Sequence, residues 1–281
     1  MAEQKHTLEK MTALWLFPFI TLVVASSTGG LISTALKAQS MKFAILTAFF
    51  SLTMVIIGLS LAFMIITIYL ARLVICGPPE KPLVLSAFVV LGPLGQGGYS
   101  LLVNGQNISK ILPLYVAGTF PEVAAGGQML FSFCFCGAYI LWSMGICWII
   151  ISSYSIFSVL KKEGKIPFSI TYHGLIFPNA VYALLSVQLG NVLDNSFFHG
   201  FGAAWTGENH NNVLFETLLI PIVIVFIMWL SIFAKTILGV IDRSIFVAPD
   251  ILAPPLPTIA LHARNDSVKI VGVLQANFLS V

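Results

Sequence analysis

The sequence predicts an all-α membrane protein of about six transmembrane helices arranged as three helical hairpins. Three observations lead there. Of 281 residues, 58% are hydrophobic and only 9% are charged, against about 25% charged in an ordinary soluble domain. A surface so poor in charge needs lipid as its solvent. Six apolar stretches each approach or exceed the ~20 residues that cross a bilayer. Finally, alternate stretches carry a proline among small or polar residues, with Pro18, Pro93 and Pro178 spaced 75 and 85 residues apart.

Residues 1–11 are polar enough to read as a cytosolic N-terminal segment, and the apolar stretch behind them lacks a signal-peptide cleavage site. The expected spans of the transmembrane domain (12–241) are 12–36, 43–76, 84–103, 128–160, 168–190 and 213–241. The first contains Phe17-Pro18 and then Ser26-Ser27-Thr28-Gly29-Gly30. The third contains Gly92-Pro93-Leu94-Gly95-Gln96-Gly97-Gly98-Tyr99-Ser100, and the fifth Phe177-Pro178-Asn179 followed by Ser186, Gln188 and Gly190. The second and fourth have no proline and are rich in Phe, Ile, Leu and Trp; the sixth is similar, with Pro221 in its outer third. Long loops are expected at Asn107 to Pro121 and at Asp194 to His210. Residues 242–281 form a Pro-rich tail that cannot continue a helix and is expected to be cytosolic and disordered.

A proline removes one backbone hydrogen bond, and in lipid the freed carbonyl is costly unless protein or water satisfies it. The proline-bearing helices are therefore expected inside and the plain ones outside. Transporters place solute at broken helices of this kind. Pro18, Pro93 and Pro178 are accordingly gate candidates. Ser26, Ser27, Thr28, Gln96, Gly97, Gly98 and Asn179 are candidate pore-lining positions.

Lys and Arg set the orientation. With a cytosolic N-terminus the inside receives Lys5, Lys10, Arg72, Lys81, Lys161, Lys162, Lys165 and Arg243, and the outside only Lys37, Lys42 and Lys110. Both termini are expected to be cytosolic. The sequon Asn107-Ile108-Ser109 then falls on an outer loop, which makes Asn107 a glycosylation candidate.

Enzymatic chemistry is not expected. The spans hold few ionisable groups (Arg72, His173, Glu216 and Lys235), and none are at metal or acid/base spacing. His199 and His210 lie eleven residues apart and do not suggest a metal site. Cys76, Cys134, Cys136 and Cys147 read as small hydrophobes. No cofactor or metal is expected. The net charge of +3 gives no nucleic-acid footprint. Uncharged hydroxyls, amides and backbone N–H groups suit an anion that binds weakly and leaves quickly.

Three runs carry a resemblance. Trp15 to Gly30, Leu91-Gly-Pro-Leu-Gly-Gln-Gly-Gly98 and His173 to Tyr182 resemble the fifth, seventh and ninth helices of fungal sulfite efflux pumps. Those pumps are members of the tellurite-resistance/dicarboxylate transporter family, which also holds malate permeases and plant slow anion channels. The resemblance spans roughly residues 7–243 and implies part of a ten-helix, five-hairpin fold whose odd helices ring a central pore. The family's first four helices have no counterpart here. The resemblance further implies a pore-plugging role for Phe177, a homotrimer, and plasma-membrane transport of a small anion, with sulfite first. A C4-dicarboxylate permease is the alternative, and a non-transporting fragment or assembly partner the second.

Overall fold

The computed structural model describes residues 8, 11–79, 81–116, 121–164, 172–206, 229–238 and 241. They fall into two units, Met1–Ala234 and Lys235–Val281. The second is described only at 235–238 and 241, where it is helical. The expected sixth span and the Pro-rich tail therefore lie largely outside the described residues.

In the first unit a 3-10 turn, Ala13–Leu16, leads into α1 (Phe17–Leu36). α2 (Met41–Cys76) returns beside it. A 3-10 stretch, Lys81–Val90, then leads into α3 (Leu91–Val116), and α4 (Pro121–Glu163) follows. α5 (His173–Leu193) and α6 (Ser196–Thr206) come next, and a short apolar helix, α7, covers Trp229–Leu238. Five helical stretches among the described residues are long and apolar enough to cross a membrane: Ala13–Leu36, Met41–Cys76, Leu83–Val116, Ala125–Lys162 and Gly174–Leu193. No strand occurs among the described residues. The all-α membrane class holds.

The helix stops follow local chemistry. α2 ends at Gly77 and α4 at Gly164, both with φ of 77°. Only glycine takes this left-handed conformation without strain, and it ends a helix by turning the chain away. Arg72 folds back along the last turn of α2, and its guanidinium donates to the Gly77 carbonyl at 2.5 Å. That contact satisfies a carbonyl that the helix end leaves open.

α3 is the axis of the bundle. α1, α2, α4 and α5 all pack against it, and nearly every residue from Leu91 to Leu112 is buried. α2 and α4 turn apolar side chains outward, among them Leu46, Phe50, Met64, Phe133, Ile140 and Phe157. This is the surface a hydrocarbon environment accepts. α6 rests on α5, where Phe197, Phe198 and Phe201 surround Trp142 edge-on with ring centroids 5.0–6.3 Å apart.

Several expectations change. Pro18 is the second residue of α1 and exposed. In the first turn its missing N–H had no helical partner to lose, so it starts the helix and does not break it. Pro93 is the third residue of α3, where 3-10 geometry gives way to α, and it too is an initiating proline. Pro178 does lie inside its helix, and so does Pro113 in α3. α3 runs to Val116, well beyond the expected end at Val103. Asn107, Lys110 and Pro113 are thus helical, not loop. The stretch after Asp194 likewise contains α6, which its aromatic residues fasten to the bundle.

Candidate functional site

α3 combines glycines with amide and hydroxyl side chains, and its neighbours sort themselves by which of these they meet. Gly95 and Gly98 receive α5. A Cβ at Gly95 would stand 2.6 Å from the Tyr182 backbone nitrogen, and one at Gly98 would stand 2.6 Å from Leu185 Cδ2. Gly97 receives Leu59 of α2 at 2.6 Å, and Gly105 receives Cys134 of α4 at 2.8 Å. Small residues in membrane helices let backbones approach in this way. Gly97 and Gly98 are therefore packing seats for Leu59 and Leu185.

The buried polar residues fasten α1 to α3. Ser26 Oγ donates to the Ser51 carbonyl at 2.5 Å and lies 2.6 Å from Ser100 Oγ. Ser26 has one hydroxyl proton, so the second bond is donated by Ser100. Asn104 Nδ2 donates to the Ser100 carbonyl at 2.9 Å and approaches Ser26 Oγ at 3.3 Å. Gln96 Nε2 donates to Ser27 Oγ. Asn107 Nδ2 donates to the Gly30 carbonyl at 2.7 Å and Asn107 Oδ1 accepts from Thr34 Oγ1 at 3.0 Å. Buried in a helix and held at both ends of its amide, Asn107 is not a glycosylation acceptor, which needs an exposed loop. Thr28 is exposed, but its hydroxyl donates back to the Val24 carbonyl at 3.1 Å. Asn179 Nδ2 donates to the Leu175 carbonyl at 2.6 Å, within its own helix.

The face of α3 between α1 and α5, both of which pack on it, is the candidate groove. α1 and α5 converge at Gly92. A Cβ there would lie 3.3 Å from Ile20 Cδ1 of α1 and 3.8 Å from Phe177 Cε1 of α5. Helical periodicity places Tyr99, Val103 and Lys110 on the same face of α3 as Gly92. Along this face Tyr99 is part-exposed and Lys110 exposed, while Val103 between them is buried near Gly30 of α1. Gln96 borders the α1 side through Ser27, and Gln106 borders the α5 side through Gln188 Nε2, which donates to Gln106 Oε1 at 3.2 Å. On α5, Phe177, Leu184 and Asn191 are exposed at heptad spacing. Phe177 is 41% exposed, and its ring reaches across the floor at Gly92.

Of the residues singled out by sequence, Phe177 and Gln96 meet at this groove. Pro93 and Pro178 lie buried close to its Gly92 end, and Ser26 and Ser27 are fastenings behind it. Sequence reasoning passed over Ser100 and Asn104 as fastenings and Tyr99, Gln106 and Lys110 as groove residues. Gln106 and Lys110 were detectable by following the Gly92 face down one continuous helix, had α3 not been ended at Val103; Tyr99 lay within the expected span and was passed over as part of the glycine-rich run. No group of three or more metal-ligating side chains occurs among the described residues.

Residues 1–237 match the voltage-dependent anion channel family, SLAC1. The chain belongs to that family. Similarity extends to curated members named sulfite efflux pump SSU1. The one from Trichophyton rubrum is 29% identical over 248 residues, which are 88% of this chain and 59% of that one. The one from Arthroderma otae is 28% identical over the same shares. The one from Candida albicans is 34% identical over 104 residues, 37% of this chain and 21% of its own. The chain thus spans 59% of the length of the first two. No solved structure matches it. Membership in the voltage-dependent anion channel family agrees with the resemblance seen in the sequence and makes the chain a multi-pass membrane protein.

Proposed function

We propose that the protein moves small anions through the groove between α1, α3 and α5, with sulfite as the substrate and Phe177 as the plug. The observation that carries this reading is the meeting of Ile20 and Phe177 over Gly92. There the floor lacks a side chain, and a mobile ring can open or close the path. The composition of the wall supports it. The described groove residues offer hydroxyl and amide groups, a lysine and no carboxylate, so nothing there repels an anion or favours a metal cation. The relatives' name, sulfite efflux pump, supports sulfite as the first substrate.

The orientation follows from the charge distribution, and the direction, export, is taken from the relatives' name, sulfite efflux pump. With the excess of Lys and Arg inside, the Gly92 end opens toward the cytosol and the Lys110 end toward the exterior, and export across the plasma membrane runs from the first to the second. α1, α3 and α5 are parallel in this arrangement, since one membrane crossing separates each from the next. Oligomerisation as a trimer is part of the same proposal.

The experiment is radiolabelled flux of sulfite and of malate in vesicles carrying the full-length protein, with and without Phe177→Ala. Faster sulfite flux in the variant is the expected result. Equal flux leaves Phe177 as packing only, and uptake of malate without sulfite assigns the protein to dicarboxylates.

A further inference from the structure

Phe177 lies near one end of the groove, and the structure shows a different kind of contact about 16 Å further along α5, at 1.5 Å per residue. The Gln188 side chain crosses from α5 to α3 and donates through Nε2 to Gln106 Oε1 at 3.2 Å. The two residues stand 82 positions apart in sequence. Both are part-exposed at the groove. They form the only side chain to side chain hydrogen bond between α3 and α5 among the described residues. One turn beyond Gln106, on the groove face, Lys110 is exposed and has no carboxylate partner among the described residues.

From this juxtaposition we propose that Gln106 and Gln188 form a second constriction that recognises a small oxyanion, with Lys110 as the cation that draws it there. The inference rests on the groove being the anion path. A glutamine amide has two N–H donors and one acceptor oxygen. In the pair, Gln188 spends one N–H on Gln106. Its second N–H and both N–H groups of Gln106 make no hydrogen bond to a described residue, so three donors are left at this level of α3 and α5. Three N–H donors match the oxygens of a small pyramidal or planar oxyanion, and each bond to a charged acceptor is stronger than one to a neutral group. A halide has no such directional acceptors. The donors are neutral, so the ion is held without the tight binding that would stop conduction. Lys110 contributes attraction over a distance, and its effect weakens as salt rises. The pair also explains why Gln188 bonds outward from α5 when neighbouring Ser186 is committed inside the bundle, accepting from Trp142 Nε1 at 2.9 Å.

The test measures sulfite and chloride flux in vesicles for Gln188→Leu, Gln106→Leu and Lys110→Gln in the full-length protein, each in the presence and absence of Phe177→Ala. Leucine keeps the approximate volume of glutamine and removes its donors, and an unchanged gel-filtration profile shows that the variants fold. Loss of one or two bonds to a charged acceptor should lower the sulfite-to-chloride flux ratio roughly tenfold or more in the glutamine variants. Lys110→Gln should lower the flux of both anions at low salt and much less at high salt, and Lys110→Arg should restore it. Gln188→Glu serves as a second variant: its carboxylate should suppress both anions. If Phe177→Ala raises flux while the glutamine variants keep the wild-type ratio, the constriction is overturned and the groove stands. If Phe177→Ala leaves flux unchanged and Gln188→Glu also conducts normally, the groove itself is not the path.

Discussion

Among the described glycines, Gly95 is where an added Cβ would come nearest the backbone of a neighbouring helix, and adding one methyl group there tests how α3 positions α5. In Gly95→Ala the new Cβ would stand 2.6 Å from the Tyr182 nitrogen, 2.7 Å from Tyr182 Cα and 2.8 Å from the Val181 carbonyl carbon. All three are backbone atoms, so no rotamer change relieves the clash. Ordinary contact begins at 3.4 Å, so α5 must retreat by about 0.7 Å to restore normal packing. A retreat of that size stretches the 3.2 Å Gln188–Gln106 bond beyond hydrogen-bond range. It also strains the Tyr182 hydroxyl bond to the Trp142 carbonyl. Overpacking of this kind costs about 1–3 kcal/mol, and loss of the amide bond adds about 0.5–1.5 kcal/mol. Thermal melting of the purified protein in detergent measures the stability change. Gly126→Ala is the control, since nothing lies within 4 Å of its added Cβ. The reasoning fails if Gly95→Ala and Gly126→Ala melt together at the wild-type temperature with the same sulfite flux.

Four further outcomes are expected. Phe177→Ala should raise anion flux severalfold in vesicles, because the ring over Gly92 is removed while the helix contacts behind it stay in place. Asn104→Ala removes the amide that spans Ser100 and Ser26 and should destabilise the α1–α3 contact by about 1–3 kcal/mol, read as a lower detergent melting temperature. Tyr182→Phe deletes only the hydroxyl that donates to the Trp142 carbonyl and should cost about 1 kcal/mol by the same assay, with a folded profile retained. Asn107→Gln should leave electrophoretic mobility unchanged with or without glycosidase, since the native amide is buried against Gly30 and Thr34; a shift toward lower mass in the variant would restore the glycosylation reading.

The membrane class was legible from composition alone. Long apolar runs with almost no charge have no other stable solvent. The proline period was legible too, but its meaning was not. Pro18 and Pro93 sit in first turns, where proline is harmless, and only backbone geometry tells a helix start from a helix break. The end of α3 was misread because Asn104, Asn107 and Lys110 resemble loop residues in a one-dimensional scan. In the bundle the amide nitrogens of both asparagines donate to α1, which favours helix for them.

By itself the sequence determined that this is an all-α membrane protein, that its helices come in hairpins with unlike members, and which family motif its glycine-rich helix carries. These are properties of single segments, fixed by local hydropathy and by residue types at short spacing. The tertiary structure decided which glycine seats which neighbour, which amides are fastenings, and which face of α3 is left open. A helix apolar on nearly every side gives no periodic signal for its partners. Only the packing of segments some 70–80 residues apart brings Ser27 to Gln96, Phe177 to Gly92 and Gln188 to Gln106.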